Sequence, residues 1–190
     1  FFALLDEPDP ERLDEGRLAR PRHAGNADAN GFSGTRQKRV QDLLGALLSC
    51  WQFAAEREPG VTRLRVISPS LAEQGWASRH TVIEVVNDDM PFLVDTATME
   101  INRQGLTLHL IVHPVLVVQR DAQGQLQSLR PLRADEPDPQ VRRESWMHVE
   151  VDRLVDPHLR AELAAGLERV LADVRAAVQD FDRVSACEQA

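Results

Sequence analysis

The chain has 190 residues, 43% of them hydrophobic and 27% charged, a composition that excludes a chain disordered throughout and predicts a globular fold. The formal net charge of −8 disfavours nucleic acid or an anionic membrane surface as partners. No apolar run approaches the roughly 20 residues that span a bilayer, and no signal peptide is recognisable, so we expect a cytoplasmic protein without membrane contact.

The first segment, residues 1–38, is predicted to be flexible, because prolines, glycines and charged residues alternate there with little apolar periodicity. The chain starts at Phe1 rather than Met and ends in a plain tail, residues 184–190, so we expect a piece of a longer polypeptide. Residues 39–62 form a lead-in whose three- and four-residue apolar spacing predicts a helix with one apolar face. That face comprises Val40, Leu43, Leu44, Leu47, Leu48, Trp51 and Ala54.

Residues 63–183 are predicted to form the α+β domain. A short strand at residues 64–67 and a connection anchored by Trp76 come before a β-branched strand at residues 81–86. The next helix is expected to begin at Pro91, with Asp88 and Asp89 capping its free amides, and to close at Gly105.

One long strand is predicted over residues 106–120, followed by a turn, a hairpin partner at residues 126–132 and a polar loop at residues 133–143. A strand over residues 145–152 places Met147 and Val149 on one face and Trp146 and His148 on the other. After Pro157, one apolar stripe predicts a helix of about six turns. The stripe comprises Leu159, Leu163, Leu167, Val170, Leu171, Val174, Val178 and Phe181.

The sequence predicts no catalytic residue and no metal site. It contains no nucleophile elbow, no P-loop and no dinucleotide-binding glycine motif. His109 and His113 lie on one strand about 13 Å apart, too far to share a zinc ion. Cys50 and Cys187 suggest neither a disulfide framework nor a zinc knuckle, and Cys50 is interpreted as a buried apolar residue.

Two groups of residues are candidates for binding. Residues 87–92 connect a strand to a helix, where free backbone amides and two carboxylates suit the zwitterion of an amino acid better than a phosphate. The other candidate is a polar cluster on the sheet, formed if the last strand neighbours the long one; the alternative is a solvated or interface-facing surface. The predicted effector site comprises Asn87, Asp88, Asp89, Met90, Pro91 and Phe92, and the predicted cluster comprises His109, His113, His148 and Glu150.

Four blocks of the sequence resemble the N-terminal region of the large bacterial NAD-specific glutamate dehydrogenases. They are Asn-Asp-Asp-Met-Pro-Phe-Leu-Val-Asp at residues 87–95, Met-Glu-Ile-Asn-Arg-Gln-Gly at residues 99–105, Leu-His-Leu-Ile-Val-His-Pro-Val at residues 108–115 and Glu-Ser-Trp-Met-His-Val-Glu-Val-Asp-Arg at residues 144–153. The helix at residues 42–54 is similar to the family's preceding helix, and the resemblance covers residues 39–181. Residues 6–37 have no counterpart.

The resemblance implies an ACT-like fold, a ferredoxin-like βαββαβ antiparallel sheet with helices on one face. It implies a parent enzyme that uses NAD to convert glutamate to 2-oxoglutarate and ammonia, with catalysis downstream and no cofactor in this segment. We therefore expect an allosteric domain that senses an amino acid and contacts downstream domains of a homo-oligomer. A structural or oligomerisation domain without a ligand is the alternative, and an independent enzyme is the third hypothesis.

Overall fold

The computed structural model describes residues 29–132 and 142–188. The chain divides into two compact units, Phe1–Arg39 and Val40–Ala190. The described part of the first unit is the beginning of a helix, α1 (Ala29–Ala54), and the second unit holds the domain. None of the described helices is long and apolar enough to cross a membrane.

The domain alternates short strands with two long helices and one short helix. Trp76, predicted as an anchor, is buried after the short helix. In chain order the elements are β1 (Arg63–Ile67), α2 (Leu71–Gln74), β2 (Thr81–Asp88), α3 (Leu93–Arg103), β3 (Leu108–Val112), β4 (Val115–Arg120), β5 (Leu126–Pro131), β6 (Arg143–Val151) and α4 (Pro157–Glu188).

All strand pairs are antiparallel, and the strands follow the order β1-β2-β6-β4-β5, with β3 also paired to β6. The succession β2-α3-β3/β4-β6-α4 agrees with the ACT-like order, and the predicted α+β class is confirmed. On the edge of β2 that does not face β6, the neighbouring strand is β1, which precedes β2 in the chain.

The predicted long strand at residues 106–120 is split into β3 and β4. Both halves pair with the same edge of β6, β3 with its end and β4 with its beginning. The break falls at His113 and Pro114, because a proline has no N–H to give to the ladder. The Pro114 carbonyl still accepts a hydrogen bond from Trp146 N at 3.1 Å.

Helices α3 and α4 pack on one face of the sheet and enclose the main core. Strand residues such as Ile83 and Val149 alternate onto this face, where they meet buried leucines of α4. The two helices approach closely at Gly166, where an added Cβ would lie 2.0 Å from Glu100 Oε1 and would force that side chain to move. Within the predicted α4 stripe, the central residues Leu163, Leu167 and Leu171 are buried, whereas Leu159 and Phe181 are exposed.

The opposite face of the sheet carries polar side chains and is partly covered by the end of α1. Phe53 and Ala54 pack against Val86 and Trp146. The rest of the predicted apolar face of α1 does not meet the sheet; its residues from Val40 to Trp51 are exposed. Helical periodicity located the helix correctly, but it did not show which side contacts the domain.

Some predicted boundaries differ from the structure. Helix α1 begins at Ala29 rather than near residue 39, and α4 continues through Glu188, into the predicted tail. Residues 1–28, like most of the predicted polar loop at residues 133–143, lie outside the described residues. The division into a flexible segment, a lead-in, a domain and a tail therefore stays a prediction.

Candidate functional site

The end of β2 joins the sheet to α4 through two polar side chains. Asn87 is fully buried, and its Oδ1 accepts a hydrogen bond from Thr62 Oγ1 at 2.9 Å and another from the Arg175 guanidinium. Asp88 forms ion pairs with Arg57 at 2.8 Å and with Arg175 at 2.9 Å. Burial alone would raise the pKa of Asp88, but the two guanidinium groups outweigh it and lower that pKa, so the carboxylate is ionised.

The rest of the predicted effector segment points elsewhere. Asp89 accepts a hydrogen bond from Ser145 Oγ at 2.7 Å, and Met90 packs against the core. Pro91 and Phe92 are exposed, and Phe92 has a left-handed φ of 69°. Only the first two residues of this segment, Asn87 and Asp88, share a side-chain partner, Arg175. Ligand binding by residues 87–92 remains a prediction.

The predicted helix cap is wrong. Helix α3 begins at Leu93, and its N-cap is Phe92, which makes no side-chain cap hydrogen bond. Asp88 belongs to β2 and pairs with arginines, while the Asp89 side chain bonds Ser145. In the sequence, two carboxylates before a helix look like N-cap residues. In the fold, Asp88 instead pairs with arginines that are distant from it in sequence.

Arg175 also borders a shallow surface depression beside α4. Its guanidinium carries the positive charge of the depression, and Glu168 supplies a carboxylate seven residues earlier on the same helix. Small alanine side chains leave room between the two. The lining residues are Thr62, Glu168, Ala172, Arg175, Ala176 and Gln179.

A buried ion network continues from Asp88 into the sheet. Arg57, whose side chain is fully buried, bridges Asp88 and Glu144, at 2.8 Å and 2.7 Å. Arg120 binds both carboxylate oxygens of Glu144, each at 2.8 Å, in the bidentate geometry that favours arginine. Burial opposes ionisation of Glu144, but hydrogen bonds from Arg120, Trp146 and Arg57 lower its pKa.

The polar cluster on the opposite sheet face is larger than predicted. His148 lies 3.6 Å from Glu150 and 3.9 Å from Glu84. Glu150 also contacts His80 Nδ1 at 2.6 Å. The His80 ring stacks on His109 with centroids 4.2 Å apart.

The cluster ends at Asp152 on one side and at Arg65 on the other. Asp152 contacts His109 Nε2 at 2.8 Å, and Arg65 pairs with Glu84. His113 is not a member; it is half-buried, and burial lowers its pKa. A functional role for the four predicted residues remains a prediction, although three of them belong to one connected group.

Electrostatics hold the centre of the cluster in its charged form. Burial disfavours the imidazolium of His148, but the Glu150 and Glu84 carboxylates overcome this and raise its pKa to about 9. The same His148 contact lowers the pKa of Glu150 to about 2. His148 and Glu150 are therefore both ionised near neutral pH. Among the described residues, no group of three or more His, Cys, Asp or Glu could hold a metal ion.

Four important residues were not singled out from the sequence: Arg57, Arg120, Arg175 and His80. Glu84 offered a signal, since a lone carboxylate inside the β-branched run of β2 needs a buried partner. The arginines offered none, because they lie in a turn, at a strand end and on a helix far from their partners in sequence.

The described residues do not form the dinucleotide site of a parallel α/β sheet. Dinucleotides bind where parallel strands end beside a glycine-rich turn, whereas the pairs of this sheet are antiparallel and the turn after β2 carries Asp88 and Asp89.

Comparison with known proteins agrees with the fold. Residues 32–167 match the family described as "Glutamate dehydrogenase, ACT1 domain". NAD-specific glutamate dehydrogenase of Halomonas elongata is 44% identical over 149 residues, which are 78% of this chain and 9% of that protein. The protein of the same name from Pseudomonas aeruginosa is 37% identical over 150 residues, 79% of this chain and 9% of that protein.

A third relative, NAD-specific glutamate dehydrogenase of Mycobacterium tuberculosis, is 34% identical over 98 residues, 52% of this chain and 6% of that protein. The chain thus spans less than a tenth of the length of these relatives. The family match covers all six strands, α2, α3, most of α1 and the first eleven residues of α4. This chain belongs to the ACT1 domain family of glutamate dehydrogenases.

Proposed function

We propose that this chain is a non-catalytic regulatory domain of a large NAD-specific glutamate dehydrogenase and that it binds an amino acid beside Asn87 and Asp88. The parent enzyme would convert glutamate and NAD to 2-oxoglutarate, ammonia and NADH in its downstream part. The observation that carries the proposal is the position of Arg175, which contacts both predicted residues and borders the α4 depression.

The depression has the charges that a zwitterion needs. Guanidinium groups donate N–H bonds to carboxylates, and in the part of the chain that the structure describes Arg175 contacts its partners through NH1 and NH2. Its Nε–H would then be the donor to a ligand carboxylate. Glu168 offers a carboxylate to an ammonium group from the same wall. An amino acid bound in this position would compete with Asp88 for the Arg175 guanidinium.

A route for coupling begins at that shared carboxylate. Asp88 is held by Arg175 and Arg57, and Arg57 lies directly after α1 and contacts Glu144. Drawing Arg175 toward a ligand would leave Asp88 to Arg57 alone, so the change would reach the buried network and the end of α1. An effector could in this way alter contacts that the domain makes elsewhere.

Isothermal titration calorimetry of the chain with a panel of standard amino acids tests the proposal. We expect one or a few to bind at millimolar concentration or below, and Arg175→Gln and Glu168→Gln to weaken binding at least tenfold. Arg169→Gln, an exposed arginine of α4 outside the depression, is the matched control and should bind as the wild type. Heats of dilution alone for every amino acid would refute ligand binding.

The alternative is a structural or oligomerisation domain of the same enzyme without a ligand. The exposed apolar residues of α1 favour a contact with another protein surface. Deletion of the domain distinguishes the two functions, because a purely structural role predicts altered oligomer size with amino-acid responses intact. Contact and ligand binding can also coexist in one domain.

A further inference from the structure

Helix α1 exposes an unusually large apolar surface. Six apolar side chains along about three helical turns are each at least two-fifths exposed. We call this surface the α1 stripe; it comprises Val40 (64% exposed), Leu43 (60%), Leu44 (55%), Leu47 (41%), Leu48 (53%) and Trp51 (51%).

Contacts on the inner side of α1 fix the direction of the stripe. A Cβ on Gly45 would lie 2.4 Å from Trp76 Cβ, so the helix backbone rests directly on a buried indole. Asp42 accepts a hydrogen bond from Ala77 N at 3.1 Å, and Ser49 Oγ accepts one from Arg65 at 2.7 Å. A rotation that turned the stripe toward the sheet would break all these contacts, so they fix which side of α1 faces away from the domain.

The chemistry of the stripe restricts its partner. Between Val40 and Ala54, Asp42 is the one charged residue, and it is occupied on the inner side of the helix. The surface therefore offers nothing to an acidic or basic peptide or to nucleic acid. The complementary surface is apolar and uncharged, such as one face of a second helix packed along α1.

The size of the stripe indicates where that partner comes from. Twelve residues of helix extend about 18 Å, and one helix packed along them buries much less than the roughly 800 Å² per partner of a standard stable interface. Free subunits would associate weakly through such a contact. Within one polypeptide the same contact forms readily, because tethering gives effective concentrations in the millimolar range. The relatives contain about ten times more chain than is aligned here, since the match covers 9% of their length.

We propose that the α1 stripe packs against an apolar, uncharged helix face supplied by the same full-length polypeptide from outside residues 1–190. This contact would anchor the domain to the rest of the protein. The inference rests on placing the chain in a larger dehydrogenase, but it does not depend on amino-acid binding.

Site-specific photo-crosslinking in the full-length protein tests the contact. A benzophenone amino acid replaces Leu47 at the centre of the stripe, and in a control protein it replaces Leu71, which is 61% exposed on α2. We expect position 47 to cross-link to an apolar helical segment beyond residue 190, at least fivefold more than position 71. Mixing isotopically light and heavy protein assigns each cross-link to one chain or to two.

Three cross-linking results would overturn the proposal. Cross-links between two copies of α1 would identify a homodimer surface, cross-links to residues 1–28 would identify a contact within this segment, and equal labelling from both positions would exclude a specific contact. Leu44→Ser with Leu47→Ser gives a second readout. We expect it to lower the melting temperature of the full-length protein and to leave that of the 190-residue chain within a degree or so, with Leu71→Ser lowering neither. Unchanged melting of the full-length double variant would contradict the proposal, whatever its amino-acid binding.

Discussion

Arg57 NH1 and Glu144 Oε1 lie 2.7 Å apart with both side chains fully buried, and they connect the segment after α1 to the second residue of the central strand β6. Buried charges are tolerated only when they are paired, because each one has lost its hydration. We therefore expect the stability of the domain to depend on this pair.

Removing the carboxylate should destabilise the fold strongly. Glu144→Gln leaves Arg57 and Arg120 buried without their shared countercharge, and we expect a loss of about 3–5 kcal/mol in the free energy of unfolding. Urea denaturation measures the loss. Glu162→Gln, at an exposed site on α4, is the control and should stay within about 0.5 kcal/mol of the wild type. Equal stabilities of the two variants would contradict the role of the network.

His148 should make stability depend on pH in the alkaline range. Its pKa in the folded domain is about 9, above the ordinary value of 6.5, so its protonated form stabilises the fold. This contribution is complete below pH 6.5 and is lost as the pH rises through 9. We expect the wild type to lose about 1–3 kcal/mol more than His148→Gln between about pH 6 and about pH 10.

The measurement is urea denaturation of both proteins at a series of pH values. His158→Gln provides the control, because His158 is an exposed histidine at the start of α4. The control should follow the wild-type curve. Parallel curves for the wild type and His148→Gln would show that the Glu84–His148–Glu150 cluster does not raise this pKa.

Phe92 should be costly for stability. Its φ of 69° places a bulky side chain in the left-handed region, and the residue is 65% exposed, so little burial compensates for the strain. Phe92→Gly should raise the free energy of unfolding by about 1 kcal/mol, because glycine adopts this conformation freely. Phe92→Ala removes the ring but keeps the strain, so it should bring no gain; a glycine variant no more stable than the alanine variant would disprove this explanation.

The sequence predicted most of the elements, since periodicity marked α4, the β-branched run marked β2 and alternation placed Met147 and Val149 on one face of β6. The structure shows that this face lies in the core. It did not predict the split at Pro114, because an apolar run continues on both sides of that proline. It also did not predict the direction of the α1 stripe. Gly45 and Trp76 decide that direction, and they are distant in sequence.

The candidate site was predicted less completely than the fold. The segment at residues 87–92 was predicted as a site from its carboxylates and its place between strand and helix. Two of its residues, Asn87 and Asp88, do contact one cation. That cation, Arg175, comes from the final helix, 87 residues after Asp88. Ion pairs of this kind depend on tertiary packing, so neither spacing nor composition indicates them.

We propose that an amino acid bound beside Arg175 regulates an enzyme whose catalysis lies elsewhere. The most direct measurement is NAD-dependent glutamate oxidation by the full-length protein, with and without the amino acid found by calorimetry, in wild-type and Arg175→Gln forms. We predict that the variant keeps its basal rate within about twofold and loses the response to that amino acid. An unchanged response in Arg175→Gln would contradict the claim.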